Sequence, residues 1–249
     1  MIGQAVASRE RHAGFVQRHF GVCDIHVRHK WNVIWDHMQE APDQQIRVAD
    51  AGCGEGLWTL EIAARRPHWV VHGFDRNEQA IQKAERRRNE LGLENASFEC
   101  ENFLTYQPHQ RFHVVLSIAS AHYLCALGKG RELFTRFREW LEPRGRLVML
   151  VPRHRSETPY LDWLPQPDKQ WGFRKSDLLD LLVSSQFPSF EIDPYGGTAS
   201  AIAKQSSLLR SRMGGMLAPL YPLELALLSA DRVASSPIRS LFYVVCARA

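Results

Sequence analysis

The sequence predicts an α/β protein with a largely parallel sheet and helices on both of its faces. Three observations lead there. From Ile46 onward short apolar runs alternate with longer amphipathic ones, and a glycine-rich turn, Gly52-Cys-Gly-Glu-Gly56, follows the first apolar run directly. The amphipathic segments are roughly ten to fifteen residues long, the length of a right-handed crossover between parallel strands.

Residues 1–42 read as a helical preface. Phe15, Val16, Phe20, Val27, Trp31, Ile34 and Trp35 recur at helical spacing, and Ala41-Pro-Asp closes the segment. Residues 43–249 then read as one domain. Its strands are expected at 46–51, 69–74, 96–100, 112–118, 146–151, 190–192 and in the last run from Ser240, and its helices at 57–66, 78–91, about 131–141 and 176–185. After Pro194-Tyr-Gly-Gly197 the regularity fails, and residues 198–236 read as a two- or three-helix insertion before the last strand, rich in Leu208, Leu209, Met213, Met216 and Leu217. Arg86-Arg87-Arg88 reads as the solvated face of a helix.

The composition, 249 residues with 45% apolar and 23% charged, is globular and sufficient for one large core. The net charge of +4 is spread among acids and forms no tail, which argues against nucleic acid as a partner. Five widely spaced cysteines without a C-x-x-C pair fit a reducing compartment and free thiols. No apolar run follows a basic start, so no signal peptide is expected and a cytoplasmic location is. Residues 213–229, interrupted by Pro219, Pro222 and Glu224, are too short and too polar to span a bilayer. His26, His29 and His37 lie at helical spacing without carboxylate partners, so no metal is expected.

The glycine-rich stretch, Val48-Ala-Asp-Ala-Gly-Cys-Gly-Glu-Gly-Leu-Trp58, leaves a strand and opens a helix. A turn without Cβ atoms lets a ligand lie against the backbone, and the N–H groups at the start of the next helix favour negative charge nearby. Dinucleotide loops read G-x-G-x-x-G, whereas Gly52, Gly54 and Gly56 give G-x-G-x-G with Asp50 in front. A pyrophosphate gains nothing from that carboxylate; a ligand with a cationic amine does. Asp75 ends the second strand 23 residues after Gly52, where an acid accepts two hydrogen bonds from ribose hydroxyls.

Asp50-x-Gly52-x-Gly54-x-Gly56 resembles the first motif of the class I S-adenosylmethionine-dependent methyltransferases, and the resemblance runs from residue 46 to about 193 and returns at the final strand. It implies a Rossmann-like, doubly wound, mostly parallel seven-stranded sheet with the last strand antiparallel, to which the N-terminal helices and the insertion are additions. It implies S-adenosylmethionine as cofactor. On that resemblance Asp50 lies at the methionine end, Gly52, Cys53 and Gly54 run beneath the cofactor, and Asp75 with Arg76 takes the ribose. Asn102, or Glu101 with the register moved by one, accepts from the adenine amine; in the alternative Asn102 caps the turn that follows. Phe103 then lies against the purine, and Ile118 completes the cofactor set.

Ala121-His122-Tyr123-Leu124 is similar to the fourth-strand segment of small-molecule methyltransferases, with Ala121 as the departure, and Leu141-Glu-Pro-Arg-Gly resembles the family's turn into the fifth strand. Enzymes that methylate base amino groups carry Asn/Asp-Pro-Pro-Tyr/Phe where this chain has Ser117-Ile-Ala-Ser120. The implied activity is methyl transfer to oxygen, nitrogen or carbon of a small, apolar metabolite such as a polyketide, terpenoid or quinone. His122, on the carboxyl edge of the sheet, is the candidate general base. Tyr123, His154 and Tyr160 are candidates for acceptor binding, and the insertion's leucines and methionines would form an adaptable apolar wall. The alternatives are an RNA or protein methyltransferase and a catalytically silent cofactor-binding partner protein. A monomer or homodimer without stable membrane insertion is expected.

Overall fold

Seven strands, β1 (Arg47–Ala51), β2 (Val70–Asp75), β3 (Ala96–Cys100), β4 (Phe112–Ile118), β5 (Leu141–Pro152), β6 (Ser189–Tyr195) and β7 (Phe242–Arg248), form one sheet in the order β3-β2-β1-β4-β5-β7-β6. Strands β1 to β5 pair in parallel, and β7 runs antiparallel between β5 and β6. The expected Rossmann-like topology with an antiparallel last strand is thus present. The computed structural model describes residues 30–31, 34–38, 45–158, 172–197, 199–200, 202–203, 206, 220–234 and 240–249.

Alternate side chains of the inner strands leave by opposite faces, as the two-residue period of a strand requires. Val48, Val114, Leu116, Val148 and Leu150 enter one core with Leu60, Ile62 and Ile81, while Ala49, Val115, Leu147 and Met149 enter another with Phe134, Phe137 and Trp140. Helices α1 (Leu57–Arg65) and α2 (Glu78–Leu91) therefore cover the first face. Helices α4 (Gly130–Trp140) and α5 (Lys175–Ser184) cover the second, and α3 (His122–Ala126) lies between β4 and α4. Helix α2 begins where the Asn77 side chain accepts from Ala80 N–H at 3.2 Å and ends at Gly92, whose φ of 63° suits a glycine cap.

The structure departs from the sequence reading in several places: α3 has no counterpart in that reading, and β6 runs over Ser189–Tyr195 rather than 190–192. Strand β5 starts at Leu141 rather than 146, because Leu141 already pairs with Phe112 before a register shift, and Arg144 turns the chain with a φ of 69°. The arginine triplet is not a uniformly solvated face either. Arg87 donates to Glu55 Oε2 at 2.9 Å and to the Glu55 carbonyl at 3.2 Å, tying α2 to the glycine-rich turn.

Of the preface, residues 30–31 and 34–37 are helical. Ile34 and Met38 are buried in the first core, Trp31 stacks on Trp58 at 6.1 Å, and the guanidinium groups of Arg65 and Arg66 lie over Trp31 and Trp35 at 4.8 and 4.6 Å. Phe15, Val16, Phe20, Val27 and the histidines at 26 and 29 lie outside the described residues. In the insertion, α6 (Tyr221–Ala234) buries Tyr221 and Leu228 with Ala203, and Leu208, Leu209, Met213, Met216 and Leu217 lie outside the described residues. Among those described, Cys53, Cys100, Cys125 and Cys246 are free thiols, and no helix is long and apolar enough to cross a membrane.

Candidate active site

The sheet reverses its winding between β1 and β4, and their carboxyl ends part there. The β1–β4 ladder stops at Asp50↔Leu116, whereas β4 continues beside β5 to Ile118↔Leu150. Crevices of this kind, at the carboxyl ends of strands around a switch point, are where open α/β sheets bind ligands. The glycine-rich turn forms one wall. Gly52 and Cys53 N–H both donate to the Phe74 carbonyl, at 2.9 and 3.1 Å, and bend the chain away from β1.

The three glycines serve different ends. All have positive φ, 78°, 54° and 77°. A Cβ on Gly52 would stand 2.5 Å from Ser120 Cβ and 2.9 Å from Phe103 Cζ, and one on Gly56 would stand 2.6 Å from Phe98 Cζ. Those two are glycines because protein packs against them. A Cβ on Gly54 would meet nothing within 4 Å among the described residues, so this side of the turn is open there.

Two acids flank the turn. Asp50 is 1% exposed, and its Oδ2 accepts from Thr59 Oγ1 at 2.7 Å and Thr59 N–H at 3.2 Å, while its buried Oδ1 has no hydrogen-bond partner. Burial pushes its carboxyl up to about 6, against the two Thr59 bonds and aided by the nearby Asp75 charge. A buried carboxylate oxygen left unpaired is costly unless a donor reaches it, and a cationic amine is such a donor. Asp75 accepts Gly54 N–H at 3.0 Å through Oδ2 and Asn77 N–H at 2.9 Å through Oδ1. Each oxygen keeps a second lone pair for a ribose hydroxyl. Arg76 is exposed beside it. The Cys53 side chain is buried, its thiol pushed up by that burial, so only its backbone faces the crevice.

On the far side of Asp75, Asn102 Oδ1 accepts Leu104 N–H at 3.0 Å, the turn-capping arrangement, and the side chain stays exposed. Phe103 is half-buried, edge-on to Phe74 at 5.8 Å and to Phe137 at 6.2 Å, close to Gly52. Ile118 closes β4 and is 7% exposed. Beyond it the Ser120 hydroxyl donates to the Ala51 carbonyl at 2.9 Å and is joined to Ser117 Oγ at 2.8 Å.

Helix α3 then presents His122 and Tyr123, their rings 4.2 Å apart. His122 is buried, and Tyr123 is 47% exposed. Burial, with a smaller contribution from the Lys30 charge, lowers the imidazole to about 4, so it is neutral at physiological pH. His154 follows β5 on the same edge. Its Nδ1 lies 3.2 Å from Ser156 N–H and 2.8 Å from Ser156 Oγ. Tyr160 and Trp163 lie outside the described residues, and no group of three or more metal-ligating side chains occurs among those described. Thr59, Ser120 and Arg87 were invisible to motif reasoning. Two serines inside an otherwise apolar strand end were the available signal for Ser120.

A model of a methyltransferase domain matches residues 42–182, more than half of the chain. The chain belongs to the methyltransferase-domain family. Two curated relatives each match about a third of the chain. The release factor glutamine methyltransferase of Coxiella burnetii is 30% identical over 74 residues, covering 30% of this chain and 27% of its own. The ribosomal RNA small subunit methyltransferase G of Nitrosospira multiformis is 32% identical over 92 residues, covering 33% of this chain and 43% of its own. The chain thus spans well under half the length of these relatives. Among solved structures, geranyl diphosphate C-methyltransferase from Streptomyces coelicolor A3(2), in complex with Mg2+, geranyl diphosphate and S-adenosylhomocysteine, superposes with a TM-score of 0.57 at 18% identity, over 89% of this chain and 78% of its own. At that identity the likeness is one of fold, that of class I S-adenosylmethionine-dependent methyltransferases. The methyltransferase domain's own residues fit that cofactor: an orphaned buried carboxylate oxygen at Asp50, open space over Gly54, and spare acceptors on Asp75.

Proposed function

We propose that this chain transfers a methyl group from S-adenosylmethionine to a small, predominantly apolar acceptor. The observation that carries the reading is the open side of Gly54, set between an orphaned Asp50 Oδ1 and the half-used carboxylate of Asp75. When bound, S-adenosylmethionine supplies an electrophilic methyl on a sulfonium sulfur. The chain need only hold it, exclude water and align an acceptor in line with the carbon–sulfur bond. Asp50 meets the amine of the methionine end, Gly52, Cys53 and Gly54 support it from below, and Asp75 with Arg76 holds the ribose. Phe103 and Ile118 flank the purine. Asn102 accepts from the adenine amine through the second lone pair of its turn-capping Oδ1.

For the acceptor side, Tyr123 offers an exposed ring beside a neutral imidazole, His154 follows β5 on the same edge, and the described end of the preface, Lys30 and Trp31, lies near them. A neutral His122 can accept a proton from a phenol or amine as the acceptor's lone pair takes the methyl. Its conjugate acid is strong, so it serves acceptors that ionise readily.

The pH dependence of cofactor affinity follows from Asp50. The fold favours its protonated form, so its contribution to stability is present at low pH and lost as pH rises through about 6. A cationic amine reverses that preference, since it needs the carboxylate. Affinity for S-adenosylhomocysteine is expected to fall about ten-fold from pH 7 to pH 5 by the linkage between protonation and binding. Asp50→Asn should bind more weakly, with a flat profile. A wild-type profile that is flat by calorimetry contradicts the role given to Asp50.

Methyl transfer to RNA or protein is the second reading, favoured by the names of the two curated relatives. Against it stand Ser117-Ile-Ala-Ser120 in place of the base-amine motif and the dispersed positive charge. Incubating the chain with tritium-labelled S-adenosylmethionine and a cell extract separates the two. Label is expected in the solvent-extractable fraction and its rate of incorporation should drop about a hundred-fold or more with His122→Gln, the range of a lost general base. Label confined to RNA or protein overturns the small-molecule reading, and no label above background supports a silent cofactor-binding partner.

A further inference from the structure

Past the last β1–β4 pair, the ends of the two strands are joined by one hydroxyl. Ala51 lies one residue past the last β1–β4 pair, Asp50↔Leu116, so its carbonyl has no strand partner on that side. Ser120 Oγ supplies one, at 2.9 Å. A carbonyl only accepts and a hydroxyl has one proton, so the proton of Ser120 goes to Ala51. The 2.8 Å contact with Ser117 is then a bond that Ser117, fully buried, donates to Ser120. A directed chain of two hydroxyls thus runs from inside β4 to the end of β1.

The backbone is bent to allow it. Ala119 has a φ of 55°, a left-handed conformation rare for alanine that persists only where its surroundings hold it. It is held on one side by its N–H, which donates to the Leu150 carbonyl at 2.8 Å, and on the other by Ser120. Ser120 also stands so close to Gly52 that a Cβ there would be 2.5 Å from Ser120 Cβ. The same side chain thus bridges the two strand ends and, with Phe103 Cζ at 2.9 Å, leaves no room for a Cβ at the first step of the turn.

We propose that Ser120, backed by Ser117, is a positioning residue for the cofactor. By clasping the Ala51 carbonyl it holds the Gly52-Cys53-Gly54 backbone at a fixed height beneath the methionine end. The proposal rests on the cofactor reading above. It assigns Ser120 to the methionine side alone, since the ribose side is held by Asp75 on β2. That asymmetry provides the test.

Wild type, Ser120→Ala and Ser117→Ala are titrated by calorimetry with S-adenosylhomocysteine and with 5′-methylthioadenosine, which has the same nucleoside but no amino-acid end. Losing one neutral hydrogen bond should weaken S-adenosylhomocysteine about five- to ten-fold in Ser120→Ala, and about two- to three-fold in Ser117→Ala, which leaves the Ala51 bond in place. Affinity for 5′-methylthioadenosine should stay within about two-fold of wild type in both, because its polar contacts, at Asp75 and Asn102, lie at the ends of β2 and β3 and its contact with Ile118 does not involve the Ala51 carbonyl. A general loosening of the fold would weaken both ligands alike, and that result, or unchanged S-adenosylhomocysteine affinity in Ser120→Ala, overturns the proposal. If Ser120→Ala does not fold, Ser120→Cys, whose thiol is a much weaker donor, is titrated in its place, with the same five- to ten-fold loss expected for S-adenosylhomocysteine alone. A wild-type chain that binds neither ligand would overturn the cofactor reading and this proposal with it.

Discussion

Replacing Asp75 with alanine is expected to weaken S-adenosylhomocysteine binding by roughly two orders of magnitude or more, on the strength of two charge-assisted hydrogen bonds of about 1.5–3 kcal/mol each. The carboxylate sits at the end of β2, where one oxygen already accepts Gly54 N–H at 3.0 Å and the other Asn77 N–H at 2.9 Å. Those bonds orient it, so no rotamer freedom is lost when the ribose hydroxyls arrive. The variant loses more than the ribose contacts, because the Gly54 backbone is released as well. Calorimetry at constant salt measures it. Affinity within three-fold of wild type would remove Asp75 from the site.

The second large effect separates two glycines only two positions apart. Gly56→Ala places a Cβ 2.6 Å from Phe98 Cζ and 2.9 Å from Ala84 Cβ, at a φ of 77°. Overpacking of about 1–3 kcal/mol and left-handed strain of about 1–2 kcal/mol add up to a loss of several kcal/mol in stability. At about 2–4 °C per kcal/mol for a chain of this size, the melting temperature should drop by about 4–20 °C. Gly54→Ala has a φ of 54° but no neighbour within 4 Å among the described residues, so only the strain applies and the melting temperature should move by a few degrees. Its Cβ instead enters the space given to the cofactor. Affinity for S-adenosylhomocysteine should fall about ten- to a hundred-fold, as expected when a tight backbone approach is blocked at a cost of about 1–3 kcal/mol. If Gly54→Ala binds as tightly as wild type, the open side of that glycine is not where the ligand lies.

Much of this was legible because it is local. Residues 96–100 emerge as β3 because Ala96 and Phe98 alternate with Ser97 and Glu99, 112–118 as β4 because it is a mostly apolar run, and 78–91 as α2 because Asn77 and Gly92 mark its ends. The positions of Asp50, the three glycines and Asp75 could be read because strand, turn and helix fix their spacing along the chain. What could not be read depends on distant partners. Arg87 meets Glu55 across 32 residues, and Ser120 meets Ala51 across 69. The early start of β5 turns on the left-handed Arg144, and α3 is too short to carry a helical period. His122 was placed on the right edge of the sheet by its sequence. Its neutrality was not predictable, since burial under tertiary contacts and the nearby Lys30 charge produce it.

A crystal structure of the chain with S-adenosylhomocysteine tests the central claim most directly. The account predicts the nucleoside in the crevice between β1 and β4, its ribose hydroxyls on Asp75, its backbone support at Gly54 and its amine turned to Asp50 Oδ1. Density for the ligand at another edge of the sheet, or a saturated crystal with that crevice empty, would contradict it.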